Sequence, residues 1–321
     1  MPYSLLIGLG AGLVSAIVFA SATTGPLLMR MVLFLLTPLA LFLAGLGVGP
    51  VTAAIAGLAG TAVVLAAGSA TAALVFAASQ AIPVFLLTYL AALNRPVGEV
   101  TEWYPPGRLV IAAALIAGVF SMLTLFLLGG DIDALRATLR AMLDAFVNTE
   151  LPKMPDAPTL GPKEIDEATA VALALLPAAS AISTMGSLLF NMWLAGRITL
   201  ASGRLRRPWP DLAAMSYPTG TPLLLAVATG AGLLSGLSGL IAAGFAGPLF
   251  FAYVLLGLAV VHYVTRGRPW RPFALWGLYA ALFIMNTVAS LAIALLGLAE
   301  AIWPIRKMAA PRNDPPQSKQ G

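Results

Sequence analysis

The chain of 321 residues contains no cysteine and a single histidine. Without cysteine there is no disulfide, no thiolate metal site and no cysteine nucleophile. One histidine rules out a multi-histidine metal site. Charge is also scarce: Asp, Glu, Lys and Arg together make up 10% of the residues. Arg30 is the only charged side chain between Met1 and Asn94, and the 64 residues from Met31 to Asn94 carry none. A water-soluble fold needs charge on its exposed faces. A bilayer-embedded fold does not, because an ionised group in hydrocarbon costs ~2.5–3.5 kcal/mol on insertion scales. With 60% hydrophobic residues and a mean hydropathy of +0.92, the composition describes a polytopic membrane protein.

Charge-free windows run over 1–29, 31–94, 109–130, 168–196, 212–265 and 272–299. A spanning helix needs ~20 apolar residues, so the windows hold one, three, one, one, two and one spans. The fold class expected is all-α: a polytopic transmembrane helix bundle of eight to nine spans, eight if the crowded second window holds only two, with one amphipathic helix outside them. The spans are placed at 4–22, 28–46, 50–68, 72–93, 108–128, 169–195, 220–239, 243–264 and 273–302, in a single transmembrane domain over 1–303. Residues 304–321 read as a polar, disordered tail. The first apolar segment has no basic residue before Arg30, so it reads as a retained span rather than a signal peptide.

The net charge of +5 and a pI near 9.7 do not imply nucleic acid, because the basic residues sit in short loops between spans. Arg95 and Arg108 flank one loop. Arg197, Arg204, Arg206 and Arg207 occupy another, and Arg266, Arg268 and Arg271 a third. Nine spans with the N-terminus inside put all three on the cytoplasmic side. The segment 131–167, with four basic and eight acidic residues, then lies on the non-cytoplasmic side. Arg30 and the C-terminal basic residues fit this alternation less well; one miscounted span or a re-entrant final segment within 272–303 would place the tail inside.

Within 131–147, Ile132, Leu135, Leu139, Met142, Leu143 and Phe146 form one helical stripe, and Asp131 is placed to cap its start. This helix lies on the outer interface or against the bundle, as a connector or as a lid. Pro152, Pro155, Pro158 and Pro162 make 149–162 irregular. Pro162 opens the next helix, where Glu164, Asp166 and Glu167 complement the helix dipole.

Polar groups in spans are costly and therefore mark candidate sites. They are Arg30, Gln80, Asn191, His262 and Asn286. Each has a bland alternative: amides bond neighbouring helices, a lone interfacial histidine needs no ligand, and Arg30 can snorkel. Pointing inward, Arg30 would attract an anion. No pair of carboxylates lies within a span, which argues against a coupled carrier of the usual carboxylate type. The sequence shows no Walker A, HExxH or GxSxG motif, so no catalytic residue, metal ligand or cofactor is assigned. Gly8, Gly12, Ala16 and Ala20 recur every four positions and read as a close-packing face, within the chain or towards a membrane-protein partner. Pro38, Pro83, Pro177 and Pro248 each interrupt a span, as kinks or as breaks that expose backbone.

Five stretches taken together are FLAGLGVGP (42–50), EWYPPGRL (102–109), NMWLAGRITLASGRLRRPWPDL (191–212), LLGLAVVHYVTRGRP (255–269) and LLGLAEAIWPIRK (295–307). In order and spacing they resemble the YybS-like family of bacterial inner-membrane proteins, a domain-of-unknown-function family. Glu300 stands where that family tends to have Asp. The resemblance implies a multi-pass protein of the bacterial cytoplasmic membrane with no reaction to carry over. At the level of helical layout it is distantly similar to the substrate-binding subunits of energy-coupling-factor importers and to a cell-shape membrane protein. Fold alone does not fix function. Two readings follow: a non-enzymatic, transporter-like protein that binds a small molecule and relies on separate energising partners, or a structural or interaction protein of the envelope with no such site. An enzyme acting on a lipid-linked substrate is the weakest reading, for lack of a catalytic cluster.

Overall fold

The computed structural model describes residues 2–153 and 160–309. The helices are α1 (Pro2–Ser21), α2 (Leu27–Leu36), α3 (Leu39–Gly47), α4 (Pro50–Ala67), α5 (Ala70–Phe76) and α6 (Ile82–Ala92), with a π-helical turn at Ala77–Ala81 joining the last two. A hairpin of β1 (Asn94–Val97) and β2 (Val100–Trp103) follows. Then come α7 (Pro106–Leu128), α8 (Ile132–Thr149), α9 (Pro162–Ala201), α10 (Thr221–Ala231), α11 (Leu237–Val264), α12 (Arg271–Ile284), α13 (Asn286–Ile302) and α14 (Ile305–Ala309).

Among the described residues, seven helical segments are long and apolar enough to cross a membrane: 3–21, 27–47, 50–67, 70–92, 106–128, 162–201 and 237–264. Two segments placed as full spans from sequence take a different form. The stretch 220–239 yields the eleven-residue α10 and a turn, and 273–302 is divided at Met285 into α12 and α13. Helix α9, at 40 residues, is ~60 Å long, about twice the ~30 Å hydrocarbon thickness. The hairpin was not anticipated. Gly98, at φ 61°, supplies the left-handed residue of its two-residue turn, and Arg95 faces Glu102 across the strands.

The chain divides into two compact units where the sequence suggested one domain: residues 1–210 with 223–249, and residues 211–222 with 250–321. In the first unit, α1 packs on α4 through small residues. A Cβ on Gly8 would lie 2.7 Å from Ile55 Cγ2, and one on Gly12 would lie 2.8 Å from the Gly60 nitrogen. The stripe Gly8, Gly12 and Ala16 is thus consumed inside the chain and is not free for a partner; only Ala20 is exposed.

Arg204 reaches the Tyr3 hydroxyl, Arg206 lies against Gly49, and Arg207 bonds the Ala91 and Tyr104 carbonyls. The start of α1, the α3–α4 turn, the α6–α7 connection and loop 202–210 therefore share one end of this unit. Six alternating spans produce that arrangement. Helix α8 belongs to the opposite end. Asp131 caps it by accepting from the Ala134 N–H at 2.9 Å. Its Leu135 and Leu139 are buried with Leu125 and Leu173, so it lies against the bundle. Arg140 pairs with Asp166 on α9 at 2.6 Å.

In the second unit, α11 and α13 approach closely where Gly257 meets Ile293 and Gly297 meets Tyr253. Helix α14 occupies the start of what the sequence suggested as a disordered tail; residues 310–321 lie outside the described residues.

Candidate functional site

The most polar point inside the spans is the break between α2 and α3. Pro38 has no N–H to offer the preceding turn, and the Thr37 N–H bonds only three residues back, to Phe34. Side chains satisfy the freed carbonyls. Ser187 Oγ and Asn191 Nδ2, one turn apart on α9, donate to the Leu35 carbonyl at 2.9 and 2.6 Å. Ser15 of α1 donates to the Thr37 carbonyl at 2.7 Å, and the Thr37 hydroxyl donates to Leu33 at 3.0 Å. Asn191 Nδ2 also donates to the Ser187 carbonyl at 2.8 Å. Both amide hydrogens are thereby committed, and Asn191 Oδ1, in a residue that is 0% exposed, has no partner among the described residues.

Gln80 repeats the pattern in the fourth span. It sits in the π-helical turn ahead of Pro83, where the Ile82 N–H reaches back to Ala77. Single π turns of this kind concentrate at functional sites. Its Nε2 donates to Ser79 Oγ at 3.1 Å, and its buried Oε1 has no partner among the described residues. Gln80 lies twelve residues before the end of α6 and Asn191 ten before the end of α9. At 1.5 Å per residue these positions are about 18 and 15 Å from the same end of the unit, close to mid-depth.

The other three sequence candidates have local surroundings of their own. Arg30 is half-buried and points its Nε at the Ala22 carbonyl, 3.4 Å away, past the end of α1. It closes a helix terminus. His262 Nε2 lies 2.8 Å from the Tyr279 hydroxyl. Asn286 is exposed at the α12–α13 junction. None of these three lies with either amide, and Gln80 and Asn191 themselves sit on different helices, each with its own partners.

Sequence reasoning missed Ser15, Thr37 and Ser187. The available signals were Thr37 directly before Pro38, and the i, i+4 spacing of Ser187 and Asn191, which sets both on one helix face. It also missed the buried pair Glu300–Arg306. There Nε lies 2.8 Å from Oε1, Nη1 donates to the Ala213 carbonyl at 2.7 Å, and the guanidinium rests over Tyr263. Asp211 makes a two-pronged pair with Arg266. The Arg266 hydrogen bond holds the Asp211 carboxyl below the usual range, and Asp211 in turn raises Arg266. Tyr217 donates to the Ala252 carbonyl at 2.6 Å, and burial lifts its phenol well above the usual range, so it stays a donor. At the basic end of the first unit, burial lowers the pKa of Arg207, and Arg197 stacks over Trp209. No group of three or more His, Asp or Glu side chains that could hold a metal ion occurs among the described residues.

No curated protein and no solved structure matches the chain. Its multi-pass build of apolar helices agrees with a family profile that matches residues 13–300: the chain belongs to the family described as Predicted membrane protein (DUF2232).

Proposed function

We propose that this is a non-enzymatic protein of the bacterial inner membrane, transporter-like in build, that binds a small polar ligand at mid-depth in its six-span unit. The observation that carries the reading is Asn191 Oδ1. A fully enclosed amide oxygen with no partner costs about 1–3 kcal/mol, and it stands beside carbonyls released by Pro38. Broken spans of this kind hold ligands in many carriers. Gln80, with a second unpartnered oxygen at similar depth, is the companion contact. Arg30, His262 and Asn286 leave this ligand set. With no Walker A motif in the sequence, uptake needs a separate energising partner, as the resemblance to importer subunits implies.

A second reading, a structural or interaction protein of the envelope, draws on the dispersal of Arg30, His262 and Asn286. Under it, the basic end with Arg204, Arg206 and Arg207 faces anionic lipid or a cytoplasmic partner, each exposed charge contributing roughly 1 kcal/mol. A native mass spectrum of the protein released gently from its own membrane separates the two. The ligand reading predicts a retained small molecule that Asn191→Ala or Gln80→Ala loses. A chain that retains no small molecule and is not stabilised by any ion, or an adduct unchanged in both variants, would sink it.

A further inference from the structure

We propose that the break at Thr37–Pro38 is a site for a dehydrated monovalent cation of sodium size. This rests on the reading that the six-span unit binds a ligand at mid-depth, and it names that ligand's charge and class.

The Ser15 hydroxyl gives its proton to the Thr37 carbonyl, Ser187 gives its own to Leu35, and Thr37 to Leu33. Both protons of the Asn191 amide go to the Leu35 and Ser187 carbonyls. Every donor at the break is committed. What remains is oxygen: the lone pairs of three hydroxyls and the unpartnered Oδ1 of Asn191. Asn191 and Ser15 are 0% exposed and Thr37 1%, so bulk water does not reach them. The break is also the C-terminal end of α2, where released carbonyls carry partial negative charge.

An anion finds no free donor there among the described residues. The nearest cationic candidate in the sequence, Arg30, is turned to the Ala22 carbonyl. A divalent ion needs carboxylates to offset its dehydration, and neither 31–94 nor 168–196 contains one. A set of hard, neutral oxygens at a helix break suits an alkali cation, as it does in carriers built on discontinuous spans.

The test is the thermal unfolding midpoint of the full chain in detergent, in sodium, lithium, potassium or choline chloride at equal ionic strength. Saturable sodium binding is expected to raise the midpoint by about 2–4 °C over choline. Asn191→Ala and Ser187→Ala should each remove that rise. If Asn191→Ala does not fold, Ser187→Ala and Ser15→Ala serve in its place. Equal midpoints in all four salts would overturn the proposal, as would a sodium response that the alanine variants keep in full. A retained organic ligand that Asn191→Ala loses, with no sodium response, overturns the cation site and leaves the binding role standing. Neither a ligand nor a sodium response removes both.

Discussion

Glu300 and Arg306 lie on either side of the turn through Trp303 and Pro304, and each side chain is less than one-tenth exposed. Their worth is conditional. A buried charge that loses its partner costs about 3–5 kcal/mol, whereas replacing both charges by apolar groups is close to neutral. Glu300→Leu should therefore destabilise strongly, since it strands a guanidinium whose other contacts are the Ala213 carbonyl and the Tyr263 ring. Glu300→Leu with Arg306→Met should recover most of the loss. A double-mutant cycle on thermal unfolding measures this, and simple additivity of the two single losses would show that the pair is not coupled. From sequence, Arg306 reads as one more basic residue of a polar tail. Its burial depends on a chain reversal that no local pattern announces.

At the scale of elements, glycine is the most position-sensitive residue. Gly10 has nothing within 4 Å of where a Cβ would stand, while Gly12, two positions on, meets the backbone of α4. Backbone cannot rotate aside, so Gly12→Leu should cost about 1–3 kcal/mol or more. Gly10→Leu, on an exposed helix face, should be neutral or slightly stabilising. Melting both variants in one detergent checks the contrast, and equal effects would deny the α1–α4 interface.

Five of the apolar segments placed from the charge-free windows agree with helical segments to within two residues at each end, because hydrocarbon imposes length and apolarity directly; the other segments differ by six or more residues or are interrupted. Hydropathy could not show where an apolar run stops being helix. Gly232 to Gly236 and Met285 turn the chain without adding charge, so 220–239 and 273–302 looked continuous. The π-helical turn left only Pro83 as its trace. The two amides were legible as candidates; that their oxygens lack partners is a property of neighbours supplied by other helices.

At the scale of the whole molecule, the six-span unit gathers Arg204, Arg206 and Arg207 at the end that also holds the start of α1, and sets α8 at the other. We infer from the excess of arginine that the first end faces the cytoplasm. Between the ends lies the polar centre, either a packed knot or a place that solutes reach from water. The complete lack of cysteine allows a direct decision, since a single introduced thiol is the only one present. The measurement is the rate at which a small water-borne thiosulfonate modifies Ser187→Cys, compared with Phe190→Cys on the exposed apolar face and Ser202→Cys past the end of α9. Ser187 is enclosed in this conformation and is reached only when the unit opens to admit its ligand, so the account predicts that Ser187→Cys reacts more slowly than Ser202→Cys but well above Phe190→Cys. A Ser187→Cys thiol as silent as Phe190→Cys, with Ser202→Cys fully modified, would contradict it and leave the break as a packing device.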